Sequence, residues 1–369
     1  MLSICILGIL TALYVSLFLF FSIGLLRARK RPADSGKRWS VSVIVPLRNE
    51  EEHALQTLEA LDAQDYDGDW EVICVNDRST DNTKGLLENF AANHPRFSVV
   101  NIPMDVPYIE SPKKRALETG FQKARYEILM TMDADCLPPK GWIRSMASRF
   151  QGNIAIVQGP KKNSGSPGIV HAYQKLETLG YTSIEAAGFS MGVPMVASAA
   201  ALAYKKELFF RVGGFGDLVH LSSGDDDMLV HKMIHEPDVG FCYNLDKDAV
   251  VETAPVDSLK GLLNQRARWA SNGTHYSNHL YTLFLTLIYT FYVWLFLAPW
   301  LAVFCDFPWS WFAIPFVLKI AVDSVFLSIG SIRLHETKLL AALPVTELLQ
   351  VPIIVLAVPL GIFKLFRWK

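Results

Sequence analysis

Hydrophobic positions divide this chain into three blocks. Residues 2–26 are one uncharged apolar run, a normally charged middle stretch follows, and residues 281–366 are again mostly apolar, rich in Phe, Trp and Leu. The first run has about the 20 residues needed to cross a bilayer core. Nothing basic precedes it and no small-residue cleavage pattern follows it, so it reads as a retained anchor rather than a signal peptide. Arg27, Arg29, Lys30 and Arg31 come directly behind it and place the middle stretch in the cytoplasm by the positive-inside rule. In the tail, residues 280–305 and 309–332 each suffice for one span, divided at Asp306-Phe307-Pro308 and again at residues 333–338. The last apolar stretch, 339–366, is interrupted by Pro344, Pro352 and Pro359, and Lys364, Arg367 and Lys369 close the chain. A third crossing puts those charges outside, against the rule, whereas a re-entrant or surface-lying hairpin keeps them inside; both fit the pattern.

The middle block changes period from two to 3.6 and back. After a short polar linker, residues 41–45 read as a buried strand and 50–64 as an amphipathic helix. Residues 71–75 are a second strand, and 79–83, Ser-Thr-Asp-Asn-Thr, offer several N-caps for a helix running to about residue 92. A strand at 97–102, a helix at 113–123 and a strand at 127–132 continue the alternation. Such alternation predicts an α/β fold with a mostly parallel sheet covered on both faces. The order then shifts. A strand at 154–159, a helix at 169–187, a small-residue strand at 195–204 and a further segment at 205–212 lead to Gly213-Gly214.

In parallel sheets ligands bind outside the carboxyl ends of the strands. Three predicted strand ends are polar: Pro46-Leu47-Arg48-Asn49-Glu50, Asn76-Asp77-Arg78 and Asp133-Ala134-Asp135. Asp133 and Asp135 stand two apart, so on an extended segment their side chains point the same way and meet one metal or polyanionic ligand together. A carboxylate pair ending an apolar strand is costly unless a cation neutralises it. The plain alternative is a loop stopped by Pro138 and Pro139. Neither a dinucleotide-binding nor a P-loop glycine pattern is present to explain this rim.

Further on, Asp225, Asp226 and Asp227 precede a helical pattern at Met228, Leu229 and Met233. Three adjacent acids repel one another and are cheapest at a helix N-terminus. They read either as an acidic cap or as the seat of a general base whose pKa is raised by its neighbours. His231 and His235, four apart with Asp227 one turn earlier, have a metal-compatible spacing, but no second cluster supports it, and they read as a solvated face or minor contact. Residues 257–275 carry Gln265-Arg266-Ala267-Arg268-Trp269: an arginine to clamp phosphate, a tryptophan to stack, or an amphipathic helix lying on the membrane.

Charge and cysteine content narrow the class. A net charge of -1 lacks the basic excess of a general nucleic-acid binder. Five scattered cysteines with no C-x-x-C pair imply neither a disulfide framework nor a zinc site, as suits a reducing compartment. The Asn272-Gly273-Thr274 sequon is irrelevant on a cytosolic segment.

Read together, VSVIVPLRNE, EVICVNDRSTDNT, KKRAL, MDADC, GDDDML and QRARW occur in an order and spacing that resembles the membrane-bound family 2 glycosyltransferases. These are inverting enzymes with a GT-A fold, and the likeness covers residues 41–269. The resemblance implies that Pro46 and Glu50 line the nucleoside pocket, Asp77 contacts the base, and Lys113 binds the donor. It implies that Asp133 faces the ribose or diphosphate, that Asp135 binds a divalent cation (Mg2+ or Mn2+), and that Asp226 is the catalytic base, with Asp225 replacing the usual glutamate. Gln265, Arg268 and Trp269 match the motif found near the diphosphate and acceptor. Two departures matter. Pro112 stands where a glycine usually precedes the lysine, leaving Lys113 and Lys114 both in place, and the triple aspartate leaves the base open by one position.

The expected layout is an N-terminal transmembrane helix over 1–27, a GT-A nucleotide-sugar-binding domain over 39–255, an amphipathic interface helix over 256–279, and a C-terminal membrane segment over 280–369 with two spans plus the Pro-broken third stretch. The expected function is transfer of a sugar from a nucleotide-sugar donor to a lipid or lipid-linked acceptor at the cytosolic membrane face, with no nucleic-acid partner. A processive polysaccharide synthase of the same fold is the alternative, disfavoured by few and Pro-broken spans. A non-catalytic nucleotide-sugar-binding membrane protein is the third reading, and the presence of all the expected acids weighs against it.

Overall fold

The computed structural model describes residues 2–28, 36–106, 111–221, 224–273, 275–276 and 279–366. Arg29, Lys30 and Arg31 of the basic cluster, Thr274 of the sequon, and the terminal Arg367 and Lys369 lie outside the described residues. The chain divides into two units, one formed by Ala28–Ser164 with Phe189–Ala254 and the other by Met1–Arg27, Gly165–Gly188 and Pro255–Lys369.

The first unit is the α/β one. Its strands are β1 (Val41–Leu47), β2 (Trp70–Asp77), β3 (Phe97–Ile102), β4 (Ile128–Thr131), β5 (Cys136–Leu137), β6 (Ile154–Gln158), β7 (Lys161–Asn163), β8 (Leu202–Lys205), β9 (Gly240–Tyr243) and β10 (Val251–Thr253). Seven of them form one sheet in the order β3-β2-β1-β4-β8-β6-β9, and β5-β10-β7 form a second, three-stranded sheet. From β3 to β4 every pairing is parallel. The strand β8 enters antiparallel between β4 and β6, so the sheet is mixed but mostly parallel. Its centre is dry: Val41, Val43, Val45, Val72, Ile128 and Met130 are fully buried, the continuous apolar signature of strands covered on both faces.

In chain order, the helices are α1 (Leu2–Arg27), α2 (Ala54–Asp62), α3 (Thr83–Asn93), α4 (Pro112–Lys123), α5 (Trp142–Ala147), α6 (Ile169–Met191), α7 (Lys206–Arg211), α8 (Asp227–Met233), α9 (Leu259–Ala270), α10 (His279–Phe304), α11 (Ser310–Arg333) and α12 (Leu343–Ile362). The expected strand over 195–204 is realised only from Leu202; a 3-10 turn, Ala199–Ala201, takes the preceding small residues. A run of alanines has no β-branched side chains to favour the pleated form.

The second unit holds the long apolar helices. Four stretches, Cys5–Arg27, Tyr281–Phe304, Ser310–Arg333 and Thr337–Ile362, are long and apolar enough to cross a membrane. The chain is therefore an integral membrane protein. The last stretch departs from its sequence reading: the prolines do not break it. Leu343–Ile362 is one helix with Pro344 at its first turn and Pro352 and Pro359 inside. Proline is tolerated at the first turn because the missing N–H is unsatisfied there anyway, and within membrane helices packing and local adjustment re-satisfy the freed carbonyls. Helix α9 packs against α12 at Gly361, where any Cβ would stand 2.4 Å from the Ala267 carbonyl oxygen.

Candidate active site

The carboxyl ends of β1, β2 and β4 form a polar rim built on strained backbone. Just past β1 and β2, Asn49 and Arg78 adopt positive φ, 54° and 56°. Asparagine tolerates that region; for a bulky arginine it costs about 1–3 kcal/mol and persists only where neighbours over-determine it. They do so here. The Arg78 Nε donates to Asp77 Oδ1 at 2.8 Å, and Asn76 Oδ1 accepts from the Ser79 N–H at 3.3 Å. Within the Ser79–Thr83 segment, Asp81 Oδ1 accepts from the Thr83 N–H at the head of α3 at 3.0 Å. The segment also laces the two loops together: Asn49 Oδ1 accepts from the Thr80 N–H (2.7 Å), the Glu50 N–H donates to Thr83 Oγ1 (2.9 Å), and Glu51 Oε2 accepts from the Asn82 N–H (2.8 Å). Asp77 is buried, and its Oδ1 also accepts from Arg115 Nη2 of α4 at 3.0 Å. Pro46 lies beyond the last β4 partner of β1, Ile44, where the strand has one open edge and a missing N–H is tolerated.

Asp133 and Asp135 do meet, though not by strand alternation. The chain leaves β4 at Thr131 and turns, with the Cys136 N–H donating to the Asp133 carbonyl at 3.2 Å. Thr57 of α2 pins this turn, its Oγ1 donating to the Ala134 carbonyl at 2.7 Å. Ligand atoms of Asp133, Asp135 and Cys136 then lie within 4.8 Å of one another. Burial and the neighbouring Asp133 push the Asp135 carboxyl above its ordinary pKa, a penalty that a cation relieves. The two carboxylates suit a hard divalent ion such as Mg2+ or Mn2+. The Cys136 sulfur does not join them: burial holds its thiol protonated, and it donates to Asp135 Oδ1 at 3.4 Å.

Lys113, at the first turn of α4, connects this turn to the triple aspartate. Its Nζ stands 2.7 Å from Asp133 Oδ1 and 2.9 Å from Asp225 Oδ2. Burial opposes its charge, but Asp133 and Asp225 outweigh burial and raise its pKa. Lys114 points elsewhere, donating to the Leu218 and Leu221 carbonyls at 2.6 and 3.0 Å, so it fixes the chain ahead of the acids. The three aspartates are separated by environment. Asp225, buried but facing Lys113, has its carboxyl lowered. Asp226 caps α8, its Oδ1 accepting from the Asp227 N–H at 2.8 Å and its Oδ2 from the Ala199 N–H at 3.2 Å. Burial first, then Asp225 and Asp227, push the Asp226 carboxyl up to about 7. The acidic-cap reading of this segment is realised, and one of its acids is also raised toward neutrality.

One positioning residue, Gln158, was not singled out in the sequence. Gln158, buried at the end of β6, donates to the Ser198 and Ala201 carbonyls and accepts from the Ser198 N–H, holding the turn whose Ala199 N–H meets Asp226. A polar residue closing an apolar strand was the available signal. His231 is buried rather than solvated, with Nε2 2.9 Å from the Met195 carbonyl. His235 lies past the end of α8 and is exposed, so the pair does not share a ligand.

Gln265, Arg268 and Trp269 belong to the membrane unit, on α9. There the buried arginine is Arg266, paired with Glu177 of α6, its Nε within 3.0 and 3.1 Å of the two carboxylate oxygens. Gln265 Oε1 accepts from Arg266 Nη1 at 2.5 Å, and Trp269 lies under the guanidinium at 4.2 Å. The motif in this chain therefore braces Arg266 from both sides.

With this geometry in view, residues 42–209 match the family model Glycosyl transferase family 2. This domain belongs to glycosyl transferase family 2. Among its relatives, a poly-beta-1,6-N-acetyl-D-glucosamine synthase of Staphylococcus epidermidis is 26% identical over 240 residues, 63% of this chain and 54% of its own length. Glycosyltransferase AglE of Haloferax volcanii is 25% identical over 229 residues, 62% of this chain and 71% of its own. The chain thus spans about half the length of the synthase and more of AglE. A mannosyltransferase, PcManGT from Pyrobaculum calidifontis, solved with GDP-Man and Mn2+, superposes over 98% of this chain and 99% of its own with a TM-score of 0.59 at 19% identity, a likeness of fold.

Proposed function

We propose that this family 2 domain transfers a sugar, with inversion, from a nucleotide-sugar donor to an acceptor at the membrane face. The observation that carries this reading is Lys113 bridging Asp133 and Asp225, which draws the Asp133–Asp135 turn and the Asp225–Asp227 segment into one site. Asp226 is the base. With its carboxyl near neutrality, it takes the proton from an acceptor hydroxyl as that oxygen attacks the anomeric carbon from the face opposite the leaving group. A divalent cation held by Asp135, beside Asp133, would act as a Lewis acid toward the departing diphosphate. Lys113 adds a fixed positive charge there. Pro46, Glu50 and Asp77 are assigned to the nucleoside, Asp133 to the ribose or diphosphate, and Gln265, Arg268 and Trp269 to the diphosphate and acceptor, the last three on the motif resemblance alone.

For the acceptor, a growing polysaccharide is the better supported reading. The sequence preference for a single transfer rested on few and Pro-broken spans, and the second of these grounds falls because the third tail segment is one helix. The Staphylococcus epidermidis relative is named for a polymer. A lipid or lipid-linked acceptor is the second reading, favoured by the four apolar helices, which bring the domain to the phase where such an acceptor dissolves. The cytosolic orientation follows from the basic residues behind α1.

Membranes containing the protein, given a panel of radiolabelled nucleotide sugars and then separated into lipid extract and polymer, decide between these acceptors. Asp226→Asn should reduce transfer about 10^2–10^4-fold with donor binding retained; lost donor binding would remove Asp226 from the role of base. Asp135→Ala should weaken cation-dependent donor binding, and an unchanged cation requirement would overturn its role as ligand.

A further inference from the structure

The membrane unit contains a charged cluster that the transfer reaction does not use. Lys319 and Asp323 stand near the middle of Ser310–Arg333, and Glu347 near the middle of Thr337–Ile362. At 1.5 Å per residue, Lys319 is about 13 Å or more from either end of its span, farther than its side chain can snorkel. All three are buried, Lys319 completely. The Lys319 Nζ donates to Asp323 Oδ2 (2.7 Å), Glu347 Oε2 (2.5 Å) and Gln350 Oε1 (3.1 Å). From α1, Tyr14 donates its hydroxyl to Asp323 Oδ1 and Oδ2 at 2.9 and 3.0 Å; from α10, the Tyr292 hydroxyl lies 3.4 Å from that of Tyr14 and its ring 5.4 Å from Lys319 Nζ. These groups face one another from all four long helices.

Charge arithmetic leaves a remainder. One ammonium faces two carboxyl groups, so full ionisation would leave an uncompensated negative charge at mid-span, where it is expensive. The second observation points to what removes it. The Asp323 and Glu347 carboxyls converge on the same Lys319 ammonium, its Nζ 2.7 Å from Asp323 Oδ2 and 2.5 Å from Glu347 Oε2, and two carboxyl groups drawn together in this way bond only when one carries a proton. Asp323 accepts from both Tyr14 and Lys319, whereas Glu347 meets the Lys319 ammonium.

We propose that Lys319, Asp323 and Glu347 form an intramembrane proton-binding site in which Glu347 carries the proton and the cluster is electrically neutral. The ligand is a proton, and it joins α11 to α12 through the Asp323–Glu347 bond, while Tyr14 and Tyr292 close the site from α1 and α10.

Two measurements on the full-length protein in membranes test this. Dicyclohexylcarbodiimide, a hydrophobic reagent, attacks protonated carboxyl groups. The Glu347 proton and oxygen add across one C=N bond; the adduct either rearranges to an N-acylurea or is captured by Lys319 as an isopeptide bond with release of the urea. Mass spectrometry should find Glu347 modified at neutral pH, with labelling falling as pH rises, about tenfold per unit beyond the midpoint, and absent in Glu347→Gln. Thermal midpoints provide the second arm. Glu347→Gln mimics the protonated acid and should melt with the wild type, whereas in Asp323→Asn Glu347 must give up its proton to balance Lys319, so its labelling should be lost. The double variant Lys319→Met with Asp323→Asn removes that demand and should restore labelling, which separates charge balance from failure to fold. The proposal is overturned if neither carboxyl is labelled across about pH 5 to 9, or if Glu347→Gln lowers the midpoint by several degrees, since both acids would then be ionised with a metal cation supplying the balance.

Discussion

At Asp226 a single proton would separate a structural acid from the proposed base. Burial and the charges of Asp225 and Asp227 drive its carboxyl up to about 7, and Lys113 pulls it back. As a base it must be ionised, so kcat/KM for transfer should rise with pH and level off above about 7. Lys113→Met removes the opposing charge, and the midpoint should move to higher pH. A profile measured on both proteins checks this, and an unmoved midpoint would show that the rate reports another group. Residue identity was legible in the sequence wherever a motif fixed it, but phase was not. Which of Lys113 and Lys114 turns to the acids depends on how α4 meets the sheet: one reaches Asp133 and Asp225, the other the Leu218 and Leu221 carbonyls. The same holds for α9, where the buried ion pair falls to Arg266.

Among the elements, alternation of strand and helix was readable through β4 because β1, β2 and β4 are buried on both faces and amphipathic helices separate the strands. It became less readable where β8 inserts antiparallel and an alanine-rich run gives no period. The Asp133–Asp135 pair was anticipated, yet for the wrong geometric reason: a tight turn, not an extended segment, brings the carboxylates together. That distinction has a consequence. The turn is held from α2 by Thr57, so Thr57→Val, nearly isosteric, leaves the buried Ala134 carbonyl without its donor. It should cost about 1–3 kcal/mol of stability and weaken cation affinity, although Thr57 is not itself a candidate ligand. Denaturation and cation titration of the variant check both effects; a destabilised protein with unaltered cation affinity would mean that the turn does not preorganise the carboxylates.

For the whole molecule, the apolar blocks announced the membrane, but averaging over them hid Lys319, Asp323 and Glu347, whose pairing depends on helices far apart in sequence. Length and proline content also misjudged α12, since the bilayer tolerates proline inside a helix more readily than water does. If all four stretches cross in turn, the end of α1 at Arg27 and the loop between α10 and α11 lie on opposite sides. The positive-inside rule then puts the α/β unit in the cytosol and Cys305 outside. Cys74, Cys136 and Cys242 are buried, while Cys5 and Cys305 are exposed. In a Cys5→Ser protein, a membrane-impermeant maleimide added to intact cells should therefore label Cys305 without permeabilisation. Labelling only after the membrane is opened would place the loop inside. The domain would then face away from the cytosolic pool of nucleotide sugars, and the proposed donor supply would have to be abandoned.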